Sequence, residues 1–297
     1  MQRVGSRFQR TLAAPAEIRG VGLVTGSRVR VRFLPAPADS GIAFVRTDLP
    51  SSPTTPARAD RVTATNRRTT LGPADAGVTL VEHVLSALAG LRIDNCLIEI
   101  DGPEPPGLDG SARGFVDVLQ AAGTTLLPGR RAAYAVTEPV VLARDGATIA
   151  FHPPEPADGF GLRASYVLDY GPTAAVARQA VSFPIAPETF TRELSGCRTF
   201  LLESEATALR AQGIGKHLAP SDLLVFGLRG PVGNTLRFAD EPARHKVLDL
   251  VGDLALCGFD LAGHVVAYRS GHALNAALAN TLLALQRQAA TPKRVAA

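Results

Sequence analysis

The sequence predicts an α+β protein made of two similar halves. In each half, short segments with the apolar pattern of strands are followed by segments with the periodicity of helices. The length of 297 residues allows one large domain or two domains of ordinary size. Hydrophobic residues make up 46% of the chain and charged residues 20%, which excludes a disordered or collagen-like protein and indicates a buried core.

The first half opens with strand patterns and continues with helix patterns. Residues 27–34 alternate basic and apolar side chains with a period of two, which is typical of a half-buried strand, and residues 42–46 are a second strand candidate. A helix is predicted from about residue 81 to 90, a strand follows at 95–100, and a second helix pattern covers 112–122.

The second half repeats this order of strands and helices. Its predicted strands cover residues 136–142, 147–151, 162–168 and 264–268. Its predicted helices open at Pro187 and Glu188, cover 241–257, and cover 271–286. The repeated order is compatible with an internal duplication, but the sequences of the two halves are too dissimilar to establish one.

Two breaks in composition bound these patterns. Residues 124–131, which follow a helix pattern and precede a strand pattern, are predicted to connect the two halves. We therefore expect one domain at residues 1–126 and a second at residues 127–297. Residues 289–297 have no apolar periodicity and are predicted to form a frayed tail.

Charge and cysteine content favour a cytoplasmic protein that does not bind nucleic acid. The net charge is +4, but the basic residues are scattered, aromatic residues make up 5% of the chain, and tryptophan is absent. The apolar runs are shorter than the roughly 20 residues of a membrane span, and no apolar signal segment follows the basic N-terminus. Cys96, Cys197 and Cys257 are far apart in sequence, and we expect them to be reduced and buried.

A stripe of polar residues runs along the predicted helix at 241–257. His245, Asp249 and Asp253 are spaced four residues apart, which places them on one face of a helix whose other residues are largely apolar. A buried charge must be paired or bound to a metal. The alternative is an ordinary amphipathic helix whose polar stripe faces water.

Two further histidines extend this pattern. Glu82 and His83 open the apolar helix at 81–90, and His83, His245 and Asp249 together have the composition of a catalytic zinc site. Glu82 would then stand where a general base is needed. His272 lies between a predicted strand and a predicted helix, where it could be an acid, a base or a surface-loop residue.

Ordered motifs run through almost the whole chain, at residues 9–12, 20–23, 35–38, 41–42, 46–49, 68–71, 81–83, 87–90, 93–95, 98–104, 109–112, 198–200, 236–238, 244–254, 263–267 and 271–272. In residues, order and spacing the chain resembles the zinc-dependent UDP-3-O-acyl-N-acetylglucosamine deacetylases, which perform the committed step of lipid A biosynthesis. The resemblance implies two α+β domains, each a small sheet with helices, with the helices packed between the two sheets and the active site at the domain junction.

The resemblance also implies a cofactor, a substrate and partners. Zinc would be held by His83, His245 and Asp249, and the substrate would be a UDP-linked acylated amino sugar. We expect a cytoplasmic monomer with at most peripheral membrane association and no nucleic-acid partner.

The remaining roles follow from the same resemblance. Glu82 would be the base that activates the attacking water, and Thr199 would donate a hydrogen bond to the oxyanion. His272 would stabilise the oxyanion and protonate the leaving amine, and Asp253 would keep its imidazole charged. Lys246 would contact polar groups of the substrate, and Phe200 would line the sugar and acyl region.

Three segments depart from the family pattern. Val24 and Thr25 stand where the family has His-Ser or His-Thr, residues 105–108 are less apolar than usual, and residues 217–222 replace a glycine-rich stretch of the acyl-chain passage. All residues with proposed zinc and proton-transfer roles are kept, so we expect an active enzyme. The alternatives are a paralogous deacetylase of another acylated amino sugar and a non-catalytic protein that binds the lipid precursor.

Overall fold

The fold contains two five-stranded sheets with helices between them. The computed structural model describes residues 1–155, 159–219 and 222–290. The strands in chain order are β1 (Gln2–Leu12), β2 (Ala16–Val21), β3 (Arg28–Pro35), β4 (Ile42–Arg46), β5 (Thr54–Pro56), β6 (Val62–Ala64), β7 (Thr70–Leu71), β8 (Val78–Thr79), β9 (Cys96–Ile100), β10 (Thr124–Ala135), β11 (Val140–Arg144), β12 (Ala147–His152), β13 (Leu162–Leu168), β14 (Gln179–Ile185), β15 (Phe200–Leu202), β16 (Leu224–Gly227), β17 (Gly230–Pro231), β18 (Asp260–Leu261) and β19 (Gly263–Tyr268). The helices are α1 (Glu82–Gly90), α2 (Arg113–Ala122), α3 (Pro187–Thr189), α4 (Glu203–Ala211), α5 (Glu241–Ala255) and α6 (His272–Ala290).

The two five-stranded sheets have the same topology. The first has the strand order β2-β3-β9-β4-β5, and the second has the order β11-β12-β19-β13-β14. In each sheet the last strand of the half is central, with one antiparallel neighbour (β3 or β12) and one parallel neighbour (β4 or β13). This repeated topology supports the internal duplication that the order of elements suggests.

The period-two pattern of the first sheet follows from its one-sided burial. In β3, Val29, Val31 and Phe33 are buried, whereas the alternate arginines reach towards solvent. Phe33 packs edge-on against Phe115 of α2, with ring centroids 6.4 Å apart. The strand predicted at 27–34 is thereby confirmed within one residue.

The helices form the layer between the sheets. α1 packs against α5, α2 contacts β2, α5 contacts β13 and β14, and α6 contacts β11 and β12. The buried apolar side chains of both sheets and of these helices form one continuous core. The α+β class and the placement of the helices between the sheets are confirmed.

Gly252 allows α1 and α5 to approach closely. A Cβ atom at this position would lie 2.1 Å from the Glu82 carbonyl oxygen, which is far inside van der Waals contact. Only glycine fits here, and the first turn of α1 therefore lies directly against the middle of α5.

A third sheet joins the two halves, and here the sequence prediction was wrong. Residues 124–131, predicted as a connection, belong to β10, which pairs antiparallel with β1 and parallel with β18. Pro128 and Gly129, which suggest a turn, lie where the β1–β10 register shifts between Phe8 and Arg10, so a bulge accommodates them. The boundary at residue 126 falls inside β10 and remains a prediction.

Other bounds also differ from the prediction. The strand predicted at 136–142 is β11, and the helix opening at Pro187 is the single turn of α3 followed by a π-helical turn at Phe190–Leu194. Residues 289 and 290 of the predicted tail belong to α6, and residues 291–297 lie outside the described residues. The strands predicted at 42–46, 95–100, 147–151, 162–168 and 264–268 match β4, β9, β12, β13 and β19 within one residue, whereas β1, β2, β5–β8, β14 and β18 were not predicted.

An insert between the π-helical turn and α5 contains β15, α4, β16 and β17, which the sequence patterns did not predict. β15, β16 and β17 form a three-stranded sheet, and α4 packs on β15 and β16. Residues 217–222 lie in the loop between α4 and β16, and residues 220 and 221 of that segment are outside the described residues. Among the helices of the described residues, none combines the length and apolar character needed to cross a membrane.

Candidate metal centre and active site

Three buried side chains converge where α1 meets α5. His83 comes from the first turn of α1, and His245 and Asp249 lie one turn apart on α5. Their candidate ligand atoms lie within 4.8 Å of one another, and all three residues are buried. His83 Nε2 and His245 Nε2 lie 3.6 Å and 3.2 Å from Asp249 Oδ1. The polar stripe of α5 therefore faces the interior, and the alternative of a solvent-facing stripe is wrong.

Hydrogen bonds orient two of these side chains. The Cys197 carbonyl lies 3.0 Å from His245 Nδ1, so this nitrogen is the donor and Nε2 keeps its lone pair for a ligand. Burial lowers the pKa of His245, which favours the neutral form that binds metals. Lys246 donates to Asp249 Oδ2 at 2.7 Å, whereas His83 and His245 approach Oδ1.

Asp249 and Lys246 each stabilise the charged form of the other. Burial alone would raise the pKa of Asp249, but neighbouring positive charge, that of Lys246 among it, holds this pKa well below its usual range. Burial likewise opposes the charge on Lys246, but Asp249 outweighs this effect and raises the pKa of the amine. Asp249 is therefore an anion, as a carboxylate ligand must be.

Glu82 precedes His83 and is 2% exposed. Its Oε2 accepts a hydrogen bond from the Thr69 backbone amide at 3.0 Å, and its Oε1 lies 3.9 Å from His272 Nε2. Burial raises the pKa of Glu82 to about 7, against the opposing effect of charged His272. A carboxylate with such a pKa can accept and release a proton near neutral pH.

His272 begins α6 and faces Glu82 across the site. Its Nδ1 lies 2.9 Å from Asp253 Oδ2. Burial would lower its pKa, but Asp253 and Glu82 outweigh that effect and raise it to about 9. His272 is 7% exposed, so the reading of it as a surface-loop histidine is wrong.

The sequence prediction missed the groups that hold Asp253. Thr69 donates its hydroxyl to Asp253 Oδ1 at 2.6 Å, and Asn275 donates to Oδ2 at 2.9 Å. Asn275 in turn accepts a hydrogen bond from Ser270 at 2.6 Å. Thr69 belongs to the motif at residues 68–71 that carries the family resemblance, and its side chain is completely buried.

The other three predicted residues lie on the insert side of the site. Thr199 lines a cavity together with His83, and its backbone amide donates to the Gly110 carbonyl at 2.8 Å. Phe200 is 8% exposed and packs edge-on against Phe226 and Tyr170, outside the cavity lining. The Lys246 ammonium lies 5.7 Å from the centre of the Phe200 ring.

The cavity runs from the metal centre into the insert and has a volume of about 290 Å³. Its lining includes His83 of the metal centre, Thr199 and Arg68, and much of the rest consists of aliphatic side chains of β15, α4, the following loop and β16. These side chains include Leu201, Ala206, Leu209, Ile214, Leu218, Leu223 and Val225. A cavity that joins a metal ligand to an aliphatic lining suits a molecule with a polar head and an alkyl chain.

The segments that depart from the family pattern meet beside this cavity. Val24 lines it, and the Val24 and Thr25 amides both donate to Glu104, which is 1% exposed. His217 Nε2 lies 2.9 Å from the Gly22 carbonyl, and its ring covers Gly26. The loop at Val24 is thus held by Glu104 and by a histidine from the rewritten segment. Pro106 of the segment 105–108 pairs with Gly22 as an isolated bridge.

Comparisons with known proteins identify the family of this chain. The family model described as LpxC, UDP-3-O-acyl N-acetylglycosamine deacetylase, matches residues 9–284. A UDP-3-O-acyl-N-acetylglucosamine deacetylase of Anaeromyxobacter dehalogenans is 42% identical over 279 residues, covering 93% of this chain and 87% of the relative. The protein of the same name from Trichormus variabilis is 42% identical over 282 residues, covering 93% and 99%. That from Bdellovibrio bacteriovorus is 38% identical over 266 residues, covering 89% and 86%. The chain therefore belongs to the family of UDP-3-O-acyl-N-acetylglucosamine deacetylases.

Proposed function

We propose that this protein is a zinc-dependent amidohydrolase that removes the acetyl group of UDP-3-O-acyl-N-acetylglucosamine, the committed step of lipid A biosynthesis. The products are acetate and the UDP-linked 3-O-acyl-glucosamine with a free amine. The observation that carries the proposal is the convergence of buried His83, His245 and Asp249 beside buried Glu82 and His272, with His83 in the lining of a cavity.

The donor set fits zinc. Two neutral imidazoles and one carboxylate are the protein ligands of many catalytic zinc sites, which leave one position open. Here His245 is fixed with Nε2 free, and Asp249 is held as an anion with Oδ1 towards both histidines. When bound, zinc supplies a Lewis acid that polarises the amide carbonyl and makes water acidic enough to attack near neutral pH.

The residues of the chain divide the proton transfers. Glu82, with a pKa of about 7, accepts a proton from the water whose oxygen forms the new bond to the acetamide carbon. Thr199 donates a hydrogen bond to the carbonyl oxygen as negative charge develops there. His272, with a pKa of about 9, adds its charge to this stabilisation.

Cleavage of the acetamide C–N bond requires an acid that protonates the amide nitrogen. His272 gives its proton to the amine as the C–N bond breaks, and the water-derived oxygen stays on the acetate. Asp253, held by Thr69 and Asn275, keeps His272 charged until that step. Glu82 then passes the proton that it took from the water to His272, which restores both groups, and the second proton of the water is released when the acetic acid ionises to acetate.

The cavity supplies the place for the acyl chain. Its aliphatic lining begins beside His83 and extends under α4, so the 3-O-acyl group can lie there while the 2-acetamido group lies at the metal centre. We assign Lys246 to polar groups of the sugar, and Phe200, whose ring centre lies 5.7 Å from the Lys246 ammonium, to the sugar and acyl region. We further propose a cytoplasmic monomer with at most peripheral membrane contact, no nucleic-acid partner and a domain boundary near residue 126.

A second candidate is the same deacetylation on another acylated amino sugar. It is favoured by Val24 and by the segment around His217, which replace family residues beside the cavity. A panel that compares UDP-linked with unlinked acylated amino sugars separates the two. A non-catalytic binding protein is disfavoured, because it would have no use for so many buried ionisable groups at one site.

The test combines metal content with turnover. Purified protein is expected to contain one zinc per chain and, when incubated with the UDP-linked substrate, to yield a product that lacks one acetyl group by mass analysis. Removal of zinc by a chelator should abolish turnover, and added zinc should restore it. Zinc-loaded protein that leaves the UDP-linked substrate intact would contradict the proposal.

A further inference from the structure

A buried ion pair at the start of α5 has no direct part in the proposed reaction. Arg198 is 4% exposed and Glu241, in the first turn of α5, is fully buried. Arg198 Nε donates to Glu241 Oε1 at 2.8 Å and Arg198 Nη2 donates to Oε2 at 3.1 Å. Two further guanidinium N–H groups donate to Asn234 Oδ1 at 2.9 Å and to the Thr235 carbonyl at 2.6 Å.

Stability alone is a weak reason for such a pair. Removing two charges from water costs several kcal/mol per ion, and well-packed apolar residues often serve equally well in the same space. A buried pair held by several hydrogen bonds is better suited to fixing one geometry.

The peptide group between Cys197 and Arg198 connects this ion pair to the metal centre. Its N–H donates to Glu241 Oε1 at 3.0 Å, and its C=O accepts from His245 Nδ1 at 3.0 Å. A trans peptide is planar, and its N–H and C=O point in opposite directions. Glu241 and His245 are one turn apart on α5, so they hold the two ends of the same rigid group.

The next residue along the chain is Thr199. Its backbone is fixed on the other side by hydrogen bonds from its amide to the Gly110 carbonyl at 2.8 Å and from the Leu224 amide to its carbonyl at 2.9 Å. The orientation of the Cys197–Arg198 peptide therefore affects both the imidazole of His245 and the direction from which Thr199 enters the site.

We propose that Glu241, held by Arg198, is a positioning residue for the metal centre. Through the Cys197–Arg198 peptide it fixes the His245 imidazole with Nδ1 protonated and Nε2 aimed at the metal, and it places Thr199. The inference rests on the proposed metal site. It assigns a purpose to Arg198, which belongs to the Arg198–Thr199–Phe200 motif but touches no reacting group.

The test uses Glu241→Gln and Arg198→Lys. In Glu241→Gln the side-chain amide turns an NH₂ group towards Arg198 N–H groups that in the wild type donate to a carboxylate oxygen. Arg198→Lys keeps the positive charge but loses the pair of hydrogen bonds from one guanidinium to both Glu241 oxygens. Loss of groups that orient a metal ligand typically weakens metal binding by about 10–100-fold. We expect that loss of zinc affinity for Glu241→Gln, measured by competition with a chelator, and a smaller loss for Arg198→Lys.

The matched control is another buried arginine paired with a carboxylate. Arg46 is 7% exposed and binds Asp48 by two hydrogen bonds of 2.8 Å and 2.7 Å in the first half of the chain. Arg46→Lys should lower the melting temperature without changing zinc affinity or kcat. Equal zinc affinity and kcat in wild type, Glu241→Gln and Arg198→Lys would overturn the inference.

A second readout needs no metal. In metal-free wild-type protein, ¹⁵N NMR of the histidine side chains should show His245 as the neutral form protonated at Nδ1, and Glu241→Gln should mix the two neutral forms. Unchanged His245 signals in Glu241→Gln would contradict the inference. Wild-type protein that binds no zinc, but shows this change in Glu241→Gln, would refute the proposed function and leave the positioning role standing.

Discussion

Replacing Gly252 by alanine should damage the metal centre more than the fold. The added Cβ would lie 2.1 Å from the Glu82 carbonyl oxygen, and contacts below 3.0 Å do not persist, so the backbones of α1 and α5 must separate by about 0.9 Å. That movement draws Glu82 and His83 away from His245 and Asp249, because the two pairs lie on opposite helices.

The expected magnitudes follow from this displacement. Overpacking in a core lowers the unfolding free energy by about 1–3 kcal/mol. About 1 kcal/mol of this loss is offset because alanine is a better helix former than glycine. A misplacement of about 1 Å in an active site can lower turnover about 100-fold. We therefore expect a loss of about 100-fold in kcat and weaker zinc binding, with a loss of stability of at most about 2 kcal/mol.

The assay compares kcat, zinc affinity and the urea midpoint of Gly252→Ala with those of Gly114→Ala. Gly114 is also helical, but a Cβ there would lie close only to side-chain atoms: the end of the Leu108 side chain at 2.8 Å, which can move aside, and Ile18 Cδ1 at 3.5 Å, an ordinary contact. Gly114→Ala should retain wild-type kcat. Gly252→Ala with wild-type kcat and zinc affinity would refute the argument that this contact sets the geometry of the site.

Further predictions concern the proton relay and the cavity. Asp253→Asn should move the alkaline limb of the rate profile to lower pH, because Asp253 raises the pKa of His272 to about 9 and its neutralisation lowers that pKa; a limb that stays in place would count against His272 as the acid. Thr69→Val should lower the unfolding free energy by about 1.5–3 kcal/mol, since a hydrogen bond to a buried carboxylate is lost, and Thr69→Ser should recover most of it in urea titrations. Ala206→Phe, which fills part of the cavity, should raise KM for a long-chain 3-O-acyl substrate and leave that for a short-chain analogue unchanged. Equal KM changes for both substrates would place the acyl chain elsewhere.

The sequence patterns succeed where local signals carry the information. α1 and α5 are found because their apolar residues repeat with helical spacing, and the i, i+4 spacing of His245 and Asp249 places two ligand candidates on one face. The family resemblance supplies the partners from other elements, such as Thr199 and His272. The geometry then shows that His83, His245, Asp249 and His272 are buried together, which spacing alone could not establish.

The failures concern contacts between residues far apart in the chain. β10 was predicted as a connection because Pro128 and Gly129 are local turn signals, whereas its pairing with β1 depends on residues more than 110 positions away. The hydrogen bond from Thr69 to Asp253 spans 184 positions, and the pair Arg198–Glu241 spans 43. No periodicity within one segment reports such contacts.

The central claim is that Glu82 is the base of a zinc-dependent deacetylation. The most direct measurement is the rate of acetyl loss from UDP-3-O-acyl-N-acetylglucosamine by zinc-loaded wild type, Glu82→Gln and the exposed control Glu188→Gln, with zinc content determined for each. Glu82→Gln should retain its zinc and lose about 10²–10⁴-fold in kcat, while Glu188→Gln matches wild type. A zinc-loaded Glu82→Gln protein that deacetylates the substrate at the wild-type rate would contradict the account.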